Sequence, residues 1–326
     1  MTKALVVHQP GAPEAMKWED VEVGEPGEGE IRVKHGAVGL NYIDVYFRSG
    51  DYPAPTSPFT PGLEAAGTIE AVGAGVKGLV VGDRVAYADL PMGAYAQARL
   101  FPADRVAKLP DDIDDETGAA MMMKGMTSEY LLRRTYPVQA GDTVLIHAAA
   151  GGVGSIACQW ANHLGATVIG TVGSDEKAEL VKANGCHHPI VYTRENVAER
   201  VKELTDGVGV AVVYDAVGKD TFTTSLDCLK PRGMMVSYGQ SSGPLDAISF
   251  DDLKSRGCIY LTRPSLMVYN STPEETRASA AALFDVVTAG HVKIAINQRF
   301  PLADAASAHR ALESRQTTGS TVLTVD

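Results

Sequence analysis

The segment from residue 144 to residue 154, VLIHAAAGGVG, constrains the fold of this chain more than any other. It reads as a buried strand, a turn of small residues and the start of a helix. Gly151 lets the backbone approach a pyrophosphate, and Gly154 lets the helix pack closely on the strand. The helix presents unpaired N–H groups and a positive dipole end to phosphate. Because Ala149 replaces the first glycine of G-x-G-x-x-G, the strand–turn–helix setting carries the prediction of a dinucleotide site. The alternative is a glycine-rich turn without a ligand.

Strands and helices alternate around this segment, from about residue 140 to residue 262. Apolar residues between 153 and 164 recur at i, i+3, i+4, i+7, i+8 and i+11, which is one face of a helix. Gly185 ends a second helical pattern over residues 175–184. Six buried strands joined by helices predict an α/β fold with a doubly wound parallel sheet. The predicted strands are Thr143–Ala148, Thr167–Val172, Pro189–Tyr192, Val210–Tyr214, Met234–Ser237 and Cys258–Leu261.

The two ends of the chain have a different texture. Before about residue 120, short strands alternate with glycine and proline turns. Near the C-terminus, the capping box Thr272–Glu275 predicts a helix to about Ala289, and Ser320–Val325 reads as a strand. A chain of 326 residues holds about two domains at roughly 100–200 residues each. We therefore expect a nucleotide-binding domain at residues 124–264, inserted into a discontinuous β-rich domain formed by residues 1–123 and 265–326. The strands predicted before residue 120 are Ala4–His8, Ile31–Val38, Gly67–Val72, Arg84–Ala88 and Tyr95–Leu100.

The end of the second strand indicates which dinucleotide binds. Proteins that bind NAD usually carry Asp or Glu there to hold the ribose hydroxyls, whereas this strand ends in Val172-Gly173. Ser174 and Lys177 follow, and they can bond and neutralise a 2′-phosphate, which favours NADPH. Tyr192, at the end of the third strand, would lie near the same phosphate, unless it is an ordinary strand-end aromatic residue. The alternative is that Asp175 or Glu176 is the ribose-binding acid, displaced from its usual position at the strand end, and that Lys177 is a solvated helix residue.

Composition and charge exclude several classes of partner. The chain has 29 Lys and Arg against 40 Asp and Glu, a formal net charge of −11, and an acidic surface repels nucleic-acid phosphates. No stretch approaches the ~20 apolar residues of a membrane span. The first residues lack the apolar core of a signal peptide. The cysteines are scattered singly, which fits a reducing compartment. We therefore expect a cytoplasmic protein that binds neither nucleic acid nor membrane.

Several further motifs are shared with one family. They are Asn41–Gly50, Pro61–Gly67, Gly82–Val85, Gly141–Gln159, Tyr214–Gly218 and Thr262–Ser265. By these motifs the chain resembles, over essentially its whole length, the quinone oxidoreductases of the zeta-crystallin type in the medium-chain dehydrogenase/reductase superfamily. The resemblance implies a Rossmann domain inserted in a GroES-like catalytic domain, a small-molecule quinone or enone substrate, and a homodimer joined by edge strands near Cys258–Leu261. Glu129 departs from the aromatic or aliphatic residue expected at its position.

Zinc alcohol dehydrogenases of the superfamily hold their catalytic metal at three positions that carry other residue types here. Asn41 and Met123 stand where cysteines would be, and Leu63 stands where a histidine would be. These residues make no zinc ligand set. The four-cysteine structural zinc lobe is also missing, because the first cysteine is Cys158. We therefore expect chemistry without a metal.

The resemblance places the substrate in a cleft between the domains, against the nicotinamide. Its candidate residues are Asn41, Tyr42, Tyr46, Arg48, Lys124, Thr127 and Arg263. Each of five candidate catalytic residues has a structural alternative. Tyr46 donates to a quinone oxygen or stacks on the ring, or it packs in the core. Asn41 holds a nicotinamide-ribose hydroxyl or the carbonyl, or it caps a turn. Lys124 bonds the nicotinamide ribose or sets the local charge, or it starts a solvated helix. Thr127 contacts the nicotinamide or caps its helix, and Arg263 attracts an electron-rich oxygen or anchors the hinge.

The resemblance also implies a set of cofactor residues on both domains. Arg315 returns from the C-terminal segment, unless it is a solvated helix end. The set is Asn41, Tyr42, Tyr46, Lys124, Gly151, Gly152, Val153, Gly173, Ser174, Lys177, Tyr192, Val217, Tyr238, Gly239, Gln240, Ser241, Arg263, Ser265 and Arg315.

The absence of zinc ligands favours one reaction class. Without a metal an alcohol has no obvious electrophile to activate it, whereas a quinone or activated enone accepts hydride readily. We expect an NADPH:quinone reductase that supplies orientation and a hydrogen-bond donor for the developing negative charge. The alternative is an NADPH-dependent reductase of enones or enoyl thioesters. A third reading is a structural or RNA-binding NADPH protein with little turnover, and the acidic charge argues against RNA.

Overall fold

The structure is a computed structural model that describes residues 2–245 and 247–326. The chain divides into two compact units. The first unit comprises Met1–Met126, Asn270–Thr288 and Ile294–Asp326, and the second comprises Thr127–Tyr269 and Ala289–Lys293. The β-rich first unit is therefore discontinuous in sequence, and a short segment near the C-terminus, Ala289–Lys293, belongs to the second unit.

Strands and helices are numbered here along the chain. The strands are β1 (Thr2–Val7), β2 (Met16–Val21), β3 (Glu30–Leu40), β4 (Glu64–Val72), β5 (Arg84–Ala88), β6 (Ala98–Pro102), β7 (Ala107–Lys108), β8 (Thr143–Ile146), β9 (Thr167–Val172), β10 (His188–Val191), β11 (Val210–Asp215), β12 (Leu229–Ser237), β13 (Tyr260–Thr262), β14 (Ile296–Pro301) and β15 (Ser320–Thr324). The helices are α1 (Tyr42–Ser49), α2 (Asp115–Tyr130), α3 (Gly152–His163), α4 (Asp175–Ala183), α5 (Val197–Leu204), α6 (Phe222–Asp227), α7 (Phe250–Ser255), α8 (Leu266–Tyr269), α9 (Pro273–Thr288) and α10 (Ala305–Glu313).

A mixed sheet forms the centre of the first unit. Its order is β14–β15–β3–β4–β5–β7, with β6 also paired to β3. β3 is long enough to pair with β4 along one edge and with β6 and then β15 along the other. Ile31, Val33 and Val38 of β3 are fully buried and pack in the main core of this unit. The C-terminal strand β15 thus pairs with β3 in this sheet, whereas β1 and β2 form a separate two-stranded sheet.

The second unit is a parallel α/β fold. Its six strands follow the order β10–β9–β8–β11–β12–β13, and each neighbouring pair is parallel. β11 is buried over its whole length, which explains why it reads as a continuous apolar run rather than an alternating one. The chain leaves β8 toward β9 on one side and later returns to β11 on the other. The predicted doubly wound sheet is confirmed, with its topological switch point between β8 and β11.

Helix ends follow the predicted chemistry. The Ser174 hydroxyl caps α4 by accepting from the Lys177 N–H at 3.3 Å. Thr272 and Glu275 form the predicted capping box, with bonds of 3.0 and 3.2 Å between each side chain and the other residue's N–H. Gly185 follows α4 with a φ of 82°, where a residue without a Cβ avoids strain.

Some predicted strand bounds are wrong, for local reasons. β8 ends at Ile146 rather than at Ala148, because Ala148 turns into the left-handed region with a φ of 51°. β13 begins at Tyr260, since Cys258 also has a left-handed backbone, with a φ of 58°. β12 begins at Leu229, before the predicted Met234, and β6 begins at Ala98 rather than at Tyr95. The sequence pattern located all four strands, and at β8 and β13 the left-handed backbone at the end accounts for the limit.

Within residues 2–245 and 247–326, no helix combines the length and the apolar character that crossing a membrane requires.

Candidate functional site

The predicted cofactor residues of the second unit gather on one edge of its sheet. In a parallel sheet all carboxyl ends lie on the same edge, which is where ligands of such folds bind. Each of the six strands contributes a predicted residue within a few positions of its end. They are Gly151, Gly152 and Val153 after β8, Gly173 and Ser174 after β9, Tyr192 after β10, Val217 after β11, Tyr238, Gly239, Gln240 and Ser241 after β12, and Arg263 and Ser265 after β13.

The turn between β8 and α3 is shaped for close approach by a ligand. A Cβ on Gly154 would lie 2.3 Å from the carbonyl oxygen of Ala148, so only glycine lets the helix pack so tightly. Gly151 precedes the first turn of α3, and the first N–H groups of a helix have no partner within it. Ala148, the residue before the position of the motif's first glycine, has a left-handed backbone. The turn therefore fits a pyrophosphate although the motif is incomplete.

A polar corner forms where β9 and β10 end. A Cβ on Gly173 would lie 2.9 Å from the Tyr192 hydroxyl, so the small residue makes room for the tyrosine. Tyr192 is 46% exposed, and the Thr193 hydroxyl donates to the Gly173 carbonyl at 3.3 Å. Ser174 and Lys177 lie in the first turn of α4 beside them. Ser174, Lys177 and Tyr192, the three residues predicted to surround a 2′-phosphate, thus follow the ends of the neighbouring strands β9 and β10.

An ion pair beside this corner bears on the displaced-acid alternative. Arg194 donates to the Asp175 carboxylate at 2.6 Å, and this hydrogen bond lowers the pKa of Asp175 below its usual range. The acid nearest the end of β9 is therefore engaged by a cation. Sequence reasoning missed Arg194, and the signal that could have found it was its place two residues after Tyr192, on a loop that must return to the end of β9.

The ends of β12 and β13 are joined by Arg263. Its guanidinium donates to Gln240 Oε1 at 2.8 Å and to Ser237 Oγ at 3.4 Å. Ser265, also predicted, lies two residues later and begins the turn into α8. Its backbone carbonyl accepts from the N–H groups of Val268 and Tyr269. Arg263 thus lies on the edge of the sheet where the carboxyl ends of the strands meet.

The loops after β11 and β12 are tied to each other. The Ser242 hydroxyl donates to the carbonyl of Val217 at 2.8 Å, and the Tyr238 N–H donates to the carbonyl of Asp215 at 2.9 Å. A Cβ on Gly239 would lie 2.6 Å from the Ala216 carbonyl oxygen. Burial raises the pKa of Tyr238 far above its usual value, so this hydroxyl stays protonated.

A buried carboxylate, Glu64, organises the candidates of the first unit. Glu64 begins β4 and is fully buried. Its Oε2 accepts from Asn41 Nδ2 at 2.7 Å and from Lys124 Nζ at 2.9 Å, and its Oε1 accepts from the Met123 N–H at 2.7 Å. Lys124 is buried in the interior of α2, so it is not a solvated helix start. Sequence reasoning quoted Glu64 within a motif but assigned it no role.

Close backbone approach makes this cluster possible. A Cβ on Gly39 would lie 2.2 Å from Glu64 Oε2 and 2.2 Å from the Ala119 carbonyl oxygen. β3, β4 and α2 therefore meet around the carboxylate without side chains between them. A buried ion pair is stabilising only when its remaining polar atoms are satisfied, and Glu64 accepts three hydrogen bonds from these surroundings.

The residues at the zinc positions have their own contacts. The Asn41 amide is bonded to Glu64, and Leu63 is a fully buried apolar residue. Met123 contributes its backbone N–H rather than a side-chain ligand to the cluster. In the part of the chain that the structure describes, no three or more His, Cys, Asp or Glu side chains are grouped to hold a metal.

An aromatic group lies in α1 and the residues that follow it. The ring centroids of Tyr42 and Tyr46 are 5.2 Å apart, and those of Tyr46 and Tyr52 are 4.8 Å apart. Tyr46 is therefore buried between two rings, which supports its packing role. Burial first, and then the charge of Glu313, raise the pKa of Tyr42, while the charge of Arg315 lowers it. The structure thus brings the predicted residue Arg315 near Tyr42.

Two remaining candidates have different surroundings. Arg48 is buried and makes two bonds to the Glu313 carboxylate, at 3.1 and 2.9 Å, which join α1 to α10. This engagement favours a structural role for Arg48. Thr127 is buried in α2, one turn after Lys124, and belongs to the second unit.

A second buried polar network lies beside the Glu64 cluster. Asp44 Oδ2 accepts from the Asn41 N–H at 2.9 Å and from the Tyr95 hydroxyl at 3.1 Å, and that hydroxyl also contacts His309 Nε2 at 3.0 Å. Burial raises the pKa of Asp44 to about 7 and lowers the pKa of His309 to about 3. Asp44 is therefore the group of this network that titrates near neutrality.

Comparisons with known proteins identify the family. Residues 27–111 match the family model "Alcohol dehydrogenase GroES-like domain", and residues 152–284 match "Zinc-binding dehydrogenase". A GroES-like domain joined to a parallel dinucleotide fold defines a medium-chain dehydrogenase/reductase. The zinc named in the second description concerns a residue range that contains none of the three zinc positions, Asn41, Leu63 and Met123.

Individual relatives match over nearly the whole chain. A quinone oxidoreductase of Pseudomonas aeruginosa is 52% identical over 323 residues, 99% of each chain. A 2-haloacrylate reductase of Burkholderia sp. is 48% identical over 330 residues, also 99% of each. The crystal structure of Escherichia coli quinone oxidoreductase complexed with NADPH matches with a TM-score of 0.97 and 46% identity, covering 99% of both chains. The chain belongs to the quinone oxidoreductase family.

We expect Glu64→Gln to lower the free energy of unfolding by about 3 kcal/mol, because it leaves the Lys124 ammonium buried without its counter-charge. Removing that charge as well, in Glu64→Gln/Lys124→Met, should recover much of the loss. Asp115→Asn is the matched control, since Asp115 pairs with Arg84 at 2.8 Å but is 28% exposed, and it should cost about 1 kcal/mol or less. Urea denaturation measures all three, and equal losses for Glu64→Gln and Asp115→Asn would contradict the expectation.

We expect Asp44→Asn to change how stability depends on pH. With the pKa of Asp44 raised from 3.8 to about 7, the folded protein retains between these values a proton that the unfolded chain has lost. The wild type therefore loses stability from this group as the pH rises from about 4 to about 7. Asn mimics the protonated acid and removes that loss.

The unfolding free energy of Asp44→Asn minus that of the wild type should thus rise by about 1.4 kcal/mol per pH unit across this window and then level off. Urea titrations from pH 4 to pH 8 measure the difference, in which His309 and other shared groups cancel. A difference that does not vary with pH would show that Asp44 is already ionised in the folded protein.

Proposed function

We propose that this protein is an NADPH-dependent quinone reductase that transfers hydride without zinc. The similarity to quinone oxidoreductases along the full length of the chain carries this proposal. The residue types on the cofactor edge support the choice of NADPH. Ser174, Lys177 and Tyr192 offer donors and a positive charge, and Asp175 is engaged by Arg194.

NADPH would be held by groups of known kinds in the second unit. The N-terminus of α3 suits the pyrophosphate, the corner of Gly173, Ser174, Lys177 and Tyr192 suits the 2′-phosphate, and the loops after β11 and β12 suit the nicotinamide half. When bound, the cofactor supplies a hydride from its nicotinamide C4. The protein's own part is to fix orientation and to exclude water.

The zinc positions support a substrate that needs no Lewis acid. Asn41, Leu63 and Met123 offer no ligand set, and a buried cation, Lys124, is held near Asn41 by Glu64. A quinone oxygen that receives electrons becomes negative, and polar groups placed near it lower the barrier. Lys124, Asn41 and Tyr46 in the first unit, with Thr127 and Arg263 in the second, are the groups we propose for this task.

A reductase of activated alkenes is the second candidate. The 48% identity to a 2-haloacrylate reductase favours it, and an enone or enoyl thioester also develops negative charge on oxygen when it accepts hydride. The same groups could serve either acceptor. We expect the two functions to differ in the shape of the site that binds the acceptor. For both, the location of that site in a cleft between the domains stays a prediction of the family resemblance.

We also propose a cytoplasmic homodimer. β13 lies at the edge of the six-stranded sheet, and Tyr260 on it is 59% exposed. An exposed sheet edge is readily covered by pairing with a second copy. Sedimentation equilibrium should give about twice the chain mass of 34.5 kDa. A monomer at micromolar concentration would contradict this part of the proposal.

The function is tested by following NADPH oxidation with chelator-treated protein. Simple quinones, 2-haloacrylates, enones and enoyl thioesters are compared under the same conditions. Fast, metal-independent turnover of quinones supports the main proposal. Turnover of alkenes alone moves the substrate to the second candidate, and NADPH binding without any turnover favours a non-enzymatic role.

We expect Lys177→Ala to raise the Kd for NADPH about tenfold or more and to leave the Kd for NADH nearly unchanged. In the proposed assignment the Lys177 ammonium bonds the 2′-phosphate, which NADH lacks, and such a charge-assisted bond contributes about 1.5–3 kcal/mol. Lys182→Ala is the matched control, because Lys182 lies on the same helix and pairs with Glu179. It should change neither Kd. Equal losses of NADPH and NADH affinity in Lys177→Ala would sink the assignment of the 2′-phosphate corner.

A further inference from the structure

We infer that His147 is a positioning residue for the cofactor, linked through Ser225 to Asp215 so that the turn after β8 and the loop after β11 hold a fixed spacing. The inference rests on the proposed function, because it assigns further residues to the NADPH site. None of these three side chains is among the residues that the family resemblance placed at the cofactor.

A chain of four buried polar side chains crosses the switch point of the sheet. Thr171 Oγ1 lies 2.9 Å from His147 Nδ1, and Ser225 Oγ lies 3.0 Å from His147 Nε2. Ser225 Oγ in turn donates to Asp215 Oδ2 at 2.7 Å. All four side chains are at most 2% exposed. They come from β9, from the end of β8, from α6 and from β11, so the chain spans three adjacent strands.

The donors in this chain can be assigned from its ends. An ionised Asp215 only accepts hydrogen bonds, so Ser225 gives its proton to the carboxylate. Ser225 Oγ must then accept from His147 Nε2–H, which leaves His147 Nδ1 to accept from the Thr171 hydroxyl. Burial lowers the pKa of His147, in keeping with a neutral imidazole. The hydrogen bonds therefore all run the same way, each side chain donating to the next from Thr171 to Asp215.

Both ends of the chain are connected to ligand-facing backbone. At one end the carbonyl of Thr171 accepts from the N–H of Ala149 at 3.1 Å, within the turn before α3. On the other side Asp215 Oδ1 accepts from the N–H groups of Val217 at 2.7 Å and Gly218 at 3.1 Å. The Ser242 contact with Val217 extends the connection to the loop after β12.

The physical consequence concerns two parts of one ligand. The turn after β8 is placed to hold a pyrophosphate, and the loops after β11 and β12 are placed to hold the nicotinamide half. Breaking the chain at Ser225 leaves His147 Nε2–H buried without an acceptor and loosens both loops. The polar corner at the ends of β9 and β10 should be unaffected. There Ser174 accepts from the Lys177 N–H, and the Tyr192 N–H donates to the Val172 carbonyl.

The experiment compares two ligands and four variants by isothermal titration. The ligands are NADPH and adenosine 2′,5′-bisphosphate, which lacks the pyrophosphate and nicotinamide. Ser225→Ala and His147→Leu should each raise the Kd for NADPH about tenfold, the size expected when a buried donor loses its partner. The Kd for the bisphosphate should stay unchanged. His147→Gln can keep an N–H directed at Ser225 and should retain most of the NADPH affinity.

Tyr214→Phe is the matched control. Tyr214 lies in the same strand as Asp215, is 1% exposed and donates to the Leu131 carbonyl at 3.2 Å, so the variant loses a buried hydrogen bond away from the chain. It should lower thermal stability without changing either Kd. Equal effects of Ser225→Ala and Tyr214→Phe, or equal losses for both ligands, would overturn the inference. If Ser225→Ala does not fold, similar NADPH affinities of His147→Gln and His147→Leu would overturn it. A wild type that binds neither ligand overturns the proposed function itself, and this inference with it.

Discussion

The parallel alignment of strands β8 to β13 is the constraint on which the second unit depends. It places six strand ends on one edge, so residues far apart in sequence lie close together there. The alignment alone does not fix the spacing of the loops, so side-chain contacts between them must do so. The hydrogen-bonded side chains from Thr171 through His147 and Ser225 to Asp215 fix the spacing of the loops at the switch point. A fixed spacing of the loops suits a dinucleotide whose pyrophosphate and nicotinamide half bind to different loops.

The first unit meets a different constraint, which is how to keep polar residues in an apolar interior. Glu64 does so by accepting three hydrogen bonds, one of them from a buried lysine. The donors come from the two segments that carry Asn41 and Met123, at which zinc dehydrogenases of the superfamily hold their metal. In this chain an internal ion pair thus organises residues that a metal would organise elsewhere. This exchange supports the proposal that hydride passes to an acceptor that needs no Lewis acid.

Much of the fold could be predicted because it depends on local patterns. Buried strands appear as apolar runs, and helix N-caps such as Ser174 and Thr272 are recognised from a few consecutive residues. The small-residue turn after β8 and the polar residues after β9 were predicted from such patterns, whereas Val217, Tyr238, Arg263 and their neighbours came from the family resemblance. Glu64 and Arg194 were missed as site residues because their roles depend on partners distant in sequence, 60 residues away for Lys124 and 19 for Asp175. His147 was read only as the end of a strand, since nothing local announces Ser225. The exact end of β8 was missed because Ala148 adopts a backbone conformation that its residue type does not favour.

The central claim is that hydride passes directly from NADPH to a quinone without a metal. Single-turnover stopped-flow measurement, with chelator present, tests it most directly by comparing NADPH with its two stereospecifically 4-deuterated forms. The account predicts that NADPH absorbance decays when the quinone is mixed in, and that deuterium slows the decay from one face of the nicotinamide only. Decay that needs added zinc, or that is equally fast with both deuterated forms and with unlabelled NADPH, would contradict it.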